Sequence, residues 1–238
     1  MGPVLSVPRD EEVPVQETLW EDTTPTTSPL KLHEPGAPRK RSASSQHLLF
    51  LDVQTSTDDP PQLLTLDAVL YVIYEGMATK GESLSAIIRP RRAYSVMRHM
   101  QDVRAHGIPA EILGTQGQAA VEVVTDMFDM IARATGVEYI QDHDKLVIVA
   151  HSVDGMMSNL MAAARVDETL YTVWNELEVL CQHTHDTFDE AVATYRNLLN
   201  YSVEHLLAYL DRPLPTNRAQ AVADLYFAMQ DGAIMVDP

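Results

Sequence analysis

The chain has 238 residues, a hydrophobic content of 45% and a formal net charge of −17 at pH 7. No apolar run reaches the roughly 18 residues that a membrane helix needs, and the acidic N-terminus has no apolar segment typical of a secretory signal. The single cysteine, Cys181, excludes an internal disulfide and a cysteine zinc cluster. These features predict an intracellular protein. Its negative charge favours protein partners over nucleic acid, which basic surfaces normally bind.

Residues 1–46 have the composition of a disordered tail, because they are rich in proline, serine, threonine and acidic residues and show no periodicity. Leu19 and Trp20 lie between acidic residues and are a candidate docking motif. The basic cluster Arg39-Lys40-Arg41 resembles an import signal, which leaves cytoplasm and nucleus both open. For both features a plain linker is the alternative interpretation. We expect residues 47–238 to form one domain.

Three strand-like runs follow the tail, and together they predict an antiparallel meander. They are HLLFLDVQT, LLTLDAVLYVIYEG and ESLSAIIRP. The turn-rich stretch STDDPPQ separates the first two runs. Asp52 is noteworthy here because it places one carboxylate near the end of an otherwise apolar strand.

The periodicity then changes to that of helices. A helix is predicted before Gly107, and a long amphipathic helix is predicted before Gly136. The run KLVIVAH at 145–151 is typical of a strand covered on both faces. Mostly helical sequence follows over 169–210, and a last helix is predicted before Gly232. This order predicts an α/β fold, a mixed sheet flanked by helices.

Four stretches in this order resemble the DEDDh 3′–5′ exonucleases of the proofreading-subunit type. They are FLDVQTST, HGIPAEIL, LVIVAHSVDGMMSNL and YSVEHLLAYLDRPLPTNRAQAVADLYFAM, and the resemblance spans about 50–230, although 161–200 does not align. The resemblance implies a ribonuclease-H-like fold with a three-strand antiparallel meander plus parallel strands. It also implies a site where four carboxylates hold two divalent cations and a histidine acts as general base.

Carried over position by position, that site is degenerate. The family's metal-binding positions fall on Asp52, Gln54, Met156 and Val222, its general base falls on Asn217, and His151 matches the histidine of its second motif. One carboxylate of four remains. Neutral amide, thioether and aliphatic groups are poor ligands for hard cations. The expectation is therefore a protein that is not an enzyme, a pseudo-exonuclease without metal or cofactor that acts as an interaction or scaffold module.

Two alternatives stay open. A non-catalytic binder of RNA or single-stranded DNA would use candidate contacts at Arg89, Arg91, Arg92 and Arg218. A working exonuclease would need a rearranged site built from Asp52, His151, Asp154 and Asp224. A homodimer is a further expectation, because a long helical stretch over 169–210 is added to the family-like fold. An exposed polar helix or loop is a better interpretation than a metal site for the group of Cys181, His183, His185 and Asp186.

Overall fold

The structure, a computed structural model, describes residues 45–91, 101–103, 107–136, 146–182, 188–189 and 201–232. Four strands form one mixed sheet in the order β3-β2-β1-β4. They are β1 (Gln46–Thr55), β2 (Leu63–Tyr74), β3 (Met77–Ile87) and β4 (Leu146–Val149). The first three are antiparallel, and β4 runs parallel to β1. The predicted meander and the mixed sheet are confirmed.

Strand β1 lies inside the sheet, which explains its continuous apolar sequence. Leu48 and Phe50 point to one face, while Leu49 and Leu51 point to the other, and none of the four is more than 1% exposed. A strand covered on both faces has no solvent side that would favour alternating polar residues. Strand β4 is buried at every position for the same reason.

Helices cover both faces of this sheet. The structure has α1 (Ala110–Gln116), α2 (Ala120–Thr135), α3 (Val153–Val166), a 3-10 helix (Glu168–Val173), α4 (Trp174–Gln182), α5 (Val203–Tyr209) and α6 (Arg218–Gln230). Apolar side chains of α2, α3 and α4 form a core with Leu49 and Leu51. Those of α5 and α6 form a second core with Leu48 and Phe50. The sheet therefore separates two hydrophobic cores.

The chain changes direction where the sequence places its turn residues. Glu75 and Gly76 connect β2 to β3 with φ values of 51° and 79°, the left-handed pair that a two-residue hairpin turn requires. Gly136 ends α2 in the left-handed conformation and donates its N–H to the carbonyl of Ala132. The predicted end of the long helix is thus confirmed, whereas β3 begins at Met77, five residues before the predicted run ESLSAIIRP.

None of the described helices combines the length and the apolar character that a membrane span requires. Nearly all of the predicted tail, 1–44, lies outside the described residues, and β1 begins at Gln46, the last residue assigned to that tail. Residues 161–182, within the segment that the family motifs did not align, continue α3 and form the 3-10 helix and α4.

Candidate active site

Two aspartates lie opposite each other on neighbouring strands. Asp52 of β1 is the register partner of Asp67 of β2. Side chains alternate along a strand, so Asp52 shares the face of Phe50, which α5 and α6 cover. Asp67 is 5% exposed, and its Oδ1 accepts a hydrogen bond of 2.6 Å from the Ser85 hydroxyl. The sheet therefore brings a pair of carboxylates to the start of α6.

Arg218, the first residue of α6, joins three carboxylates. Its Nε lies 3.0 Å from Asp52 Oδ2, and one Nη lies 2.7 Å from Glu204 Oε1. Its backbone N–H donates to Asp67 Oδ2 at 2.7 Å. The side chains of Asp52 and Arg218 are 19% and 26% exposed, so this ion pair lies largely away from solvent. We call Asp52, Asp67, Glu204 and Arg218 the acid–arginine cluster.

The residue before Arg218 fixes the start of the helix. Asn217 is the N-cap of α6, and its Oδ1 accepts from the backbone N–H of Gln220 at 3.0 Å. Its Nδ2 donates to the carbonyl of Leu84 on β3 at 2.8 Å. Asn217 stands at the family's general-base position, where its amide holds the helix and the sheet together. Both ends of that amide are used for structure.

Charge in the cluster is unbalanced, because three carboxylates share one guanidinium. Burial raises the pKa of Asp52, and the contact with Arg218 offsets this only in part. Burial likewise raises the pKa of Asp67 against the opposing effect of its hydrogen bonds. Burial also raises the pKa of Glu204, but hydrogen bonds from its own backbone, Arg218 and Ser202 outweigh it and lower that pKa. The pKa of Arg218 is raised, since Asp52 and Glu204 outweigh the burial of its charge.

His151 lies beside this cluster, two residues after β4. Its ring makes a hydrogen bond with the backbone of Tyr201 and packs 5.8 Å from the ring of Phe188. Its Nε2 is buried and has no hydrogen-bond partner among the described residues. Burial lowers the pKa of His151, although Tyr201 and the charges of Asp52 and Glu204 act in the opposite direction. The site therefore contains a neutral imidazole with a free nitrogen next to acidic groups.

The neutral residues that the resemblance predicts at the family's ligand positions are buried. Gln54 is 8% exposed and follows Asp52 on the same face of β1. Met156 is 8% exposed and belongs to the core under α3, whereas Val222 is fully buried in the core under α6. The two apolar residues thus pack on opposite faces of the sheet.

The two acids predicted to rescue the site do not join the cluster. Asp154 is exposed in the first turn of α3. Asp224 accepts a hydrogen bond of 2.8 Å from Gln220 Nε2, and that amide also binds the Tyr71 hydroxyl. Of the predicted rearranged set, Asp52 and His151 come together, while Asp67 and Glu204 supply the additional carboxylates.

The candidate nucleic-acid contacts fall into two separate places. Arg89 is exposed, and Arg91 makes an ion pair of 3.0 Å with Asp167, which follows α3. Arg218 lies on the other face of the sheet, at the start of α6. Arg92 lies outside the described residues. The three described candidates, Arg89, Arg91 and Arg218, therefore do not share one surface.

Other predicted features also lie outside the described residues. They are the docking pair Leu19 and Trp20, the basic cluster Arg39, Lys40 and Arg41, and the polar group His183, His185 and Asp186 with the side chain of Cys181. Within the described part of the chain, no three histidine, cysteine, aspartate or glutamate side chains are arranged to hold a metal ion as they stand.

Sequence reasoning missed Asp67 and Glu204. Asp67 carries a visible signal, since a lone acid in the apolar run LLTLDAVLYVIY mirrors Asp52 in the first strand. Pairing the two strands in antiparallel register would have placed Asp67 opposite Asp52. Glu204 carries no such signal, because an acid in the first turn of a helix is common.

Comparison with solved structures identifies the fold. The nuclease domain of 3′hExo, a DEDDh family member bound to rAMP, matches 83% of this chain and 98% of its own, at a TM-score of 0.55 and 11% identity. E. coli exonuclease I in complex with a dT13 oligonucleotide matches at a TM-score of 0.54 and 15% identity, over 79% of this chain and 41% of its own. The chain has the fold of the DEDDh 3′-exonucleases. The predicted ribonuclease-H-like class and the family resemblance are thereby confirmed.

A third structure, cell-death related nuclease 4 (CRN-4), gives a TM-score of 0.50 at 16% identity over 79% of this chain. This chain spans 64% of that nuclease and less than half of exonuclease I. No protein-family model matches the sequence, and no curated protein matches it either. The relationship is therefore visible in the DEDDh fold and not in overall sequence similarity.

One prediction is wrong. The loss of family ligands led us to expect a protein that is not an enzyme, but the solved structures that share its DEDDh fold are nucleases. The expectation counted acids only at the motif positions. It thus overlooked two carboxylates that the fold brings to Asp52 from elsewhere in the chain.

At most one hard cation fits the cluster, and only after the guanidinium of Arg218 has left Asp52 and Glu204. Asp52 and Glu204 already face a single positive charge, the guanidinium of Arg218, which occupies the place of a cation between them. Carboxylate oxygens are the ligands that Mg²⁺ and Mn²⁺ prefer. A second ion would need charged oxygen ligands. Met156 and Val222, at the other predicted ligand positions, are packed into the two hydrophobic cores and offer no oxygen atom.

Proposed function

We propose that this protein is a 3′–5′ exonuclease of single-stranded nucleic acid with a rearranged catalytic cluster. Two observations support this function. The fold is that of nucleases solved with rAMP and with dT13, which are a nucleotide and a single-stranded oligonucleotide. A group of acids, an arginine and a histidine surrounds Asp52, the residue that matches the family's first motif.

The observation that carries the proposal is the free nitrogen of His151. The Tyr201 backbone occupies one side of the ring, so the buried Nε2 is left as an acceptor. The lowered pKa keeps the ring neutral near pH 7, which a general base requires. His151 thus takes the proton of the attacking water, in the role that Asn217 cannot perform because its amide does not accept a proton near neutral pH.

Arg218 takes the role of the second positive charge. Its guanidinium can pair with phosphate oxygens in a bidentate manner, and its charge does not depend on pH in the working range. Asp67 positions it by holding its backbone N–H at the sheet. Once the substrate phosphate draws Arg218 away from them, Asp52 and Glu204 would hold one Mg²⁺ or Mn²⁺. That cation would supply Lewis-acid activation of the phosphodiester when bound.

The test uses the purified full-length chain and 5′-labelled single-stranded RNA and DNA oligonucleotides. With Mn²⁺ or Mg²⁺ we expect a ladder that shortens from the 3′ end, and EDTA abolishes it. His151→Gln removes the general base and Asp52→Asn removes a ligand charge. Each should lower the rate about 100-fold or more.

Asp154→Asn is the matched control, because it makes the same chemical change in an exposed acid outside the cluster. It should retain the full rate. A wild-type protein that leaves every oligonucleotide intact with either metal would overturn the proposal. Equal loss of activity in Asp154→Asn and Asp52→Asn would assign the chemistry to a different set of acids.

A further inference from the structure

Two exposed aromatic rings border the acid–arginine cluster. Tyr201 is 44% exposed, and its ring lies 5.0 Å from that of His205 at an interplanar angle of 30°. Tyr201 lies just before α5 and His205 lies in its first turn, and the ring contact brings the two side chains together at the start of the helix. Ser202, the N-cap of α5, accepts the backbone N–H of His205 at 3.3 Å and so defines this turn.

The rings are attached to the cluster through their own backbone and their neighbours. The backbone of Tyr201 makes a hydrogen bond with His151, and Glu204, next to His205, forms the ion pair with Arg218. Val203, Leu206 and Leu207 are buried on the opposite side of the helix and anchor it to the core. Tyr201 thus contacts His151 directly, and His205 follows the Glu204 that pairs with Arg218.

We propose that Tyr201 and His205 form a stacking platform for a nucleobase of the single-stranded substrate. Every base has a π face, so an exposed aromatic surface binds bases without reading their sequence. Stacking also needs no positive charge, which suits a protein whose net charge is −17. The platform would hold one base while its phosphodiester lies at Arg218. This inference deepens the proposed nuclease function and rests on it for the identity of the ligand.

The test measures binding rather than cleavage. A 5′-fluorescein-labelled oligo-dT is titrated with the full-length protein in EDTA and in Ca²⁺, and anisotropy gives the Kd. A second oligonucleotide is identical except for an abasic 3′-terminal nucleotide. Stacking of one base is expected to make the intact oligonucleotide bind about tenfold more tightly than the abasic one.

Tyr201→Ala and His205→Ala should each reduce that difference, and Tyr201→Phe should preserve it because the ring remains. Tyr171→Ala is the control, since Tyr171 is 76% exposed and belongs to the 3-10 helix on the other side of the sheet. It should leave both Kd values unchanged. Circular dichroism during thermal unfolding checks that each variant is folded.

Two results would overturn the platform. One is equal binding of the intact and abasic oligonucleotides by the wild-type protein. The other is an alanine variant that weakens both to the same extent, as a purely structural role of α5 would. Neither result bears on the nuclease proposal, which the cleavage assay tests separately. If the protein did not cleave, a base-dependent difference in Kd would still support the stacking platform.

Discussion

Asp52 of β1 and Asp67 of β2 are register partners, and both contact Arg218. Asp52 accepts a hydrogen bond from the Arg218 side chain at 3.0 Å, and Asp67 accepts one from the Arg218 backbone N–H at 2.7 Å. Two neighbouring buried carboxylates would repel each other without a cation between them. Arg218 therefore stabilises the sheet at this point as well as serving the proposed chemistry.

Removal of Arg218 should destabilise the fold. Arg218→Met leaves Asp52 and Glu204 without their counter-charge, and we expect the free energy of unfolding to fall by about 2 kcal/mol, less than for a fully buried pair because these groups retain some exposure. Urea denaturation measures the change. Arg133→Met is the matched control, because its ion pair with Glu82 is exposed, and it should have no measurable effect. Equal losses in the two variants would contradict the stabilising role of Arg218.

Asn217 should contribute to stability through both ends of its amide. Asn217→Ala removes the cap of α6 and the bond to the Leu84 carbonyl, which should cost about 1–2 kcal/mol. Asn217→Asp keeps the cap of α6 but loses the N–H donor to the Leu84 carbonyl, so a loss of stability between those of the wild type and the alanine variant is expected. Chemical denaturation at pH 7 compares the three proteins. If the alanine variant were as stable as the wild type, the proposed link between α6 and β3 would be wrong.

Stability should depend on pH through His151. Its folded pKa lies below the usual value of 6.5, so its contribution is present above pH 6.5 and is lost as the pH falls through the folded pKa. His151→Gln should flatten the part of the stability curve that lies below about pH 6.5. A His151→Gln curve as steep as that of the wild type would refute the assignment.

The core under α2 should be sensitive to loss of volume. Met127 is fully buried between α2 and the sheet, and Met127→Ala should cost about 2–5 kcal/mol. Met77 is 68% exposed at the start of β3, and Met77→Ala should change the stability little. Thermal unfolding of the pair, measured side by side, tests where the core lies. A large effect at Met77 would indicate that this edge of the sheet is covered in solution.

The sequence predicted more of the fold than of the site, for a physical reason. Strands and helices follow from local periodicity, so β1, β4, α2 and α6 were foreseen from runs such as LVIV and from the glycines that end the helices. The cluster is different, since Asp52, Asp67, Glu204 and Arg218 come from four separate segments. No local pattern records their proximity, and a count of motif positions gave the wrong expectation about enzymatic activity.

By itself the sequence determined that the chain forms an antiparallel meander followed by a parallel strand and helices, because apolar spacing decides which side each residue faces. Through the resemblance it also predicted neutral residues at three of the family's four ligand positions. Only the tertiary structure decided which carboxylates lie near Asp52. Cross-strand register placed Asp67 beside Asp52, and the packing of α5 and α6 on the sheet brought Glu204 and Arg218 to the same point. Charge acts through distance in space, and that distance is set by packing and not by separation along the chain.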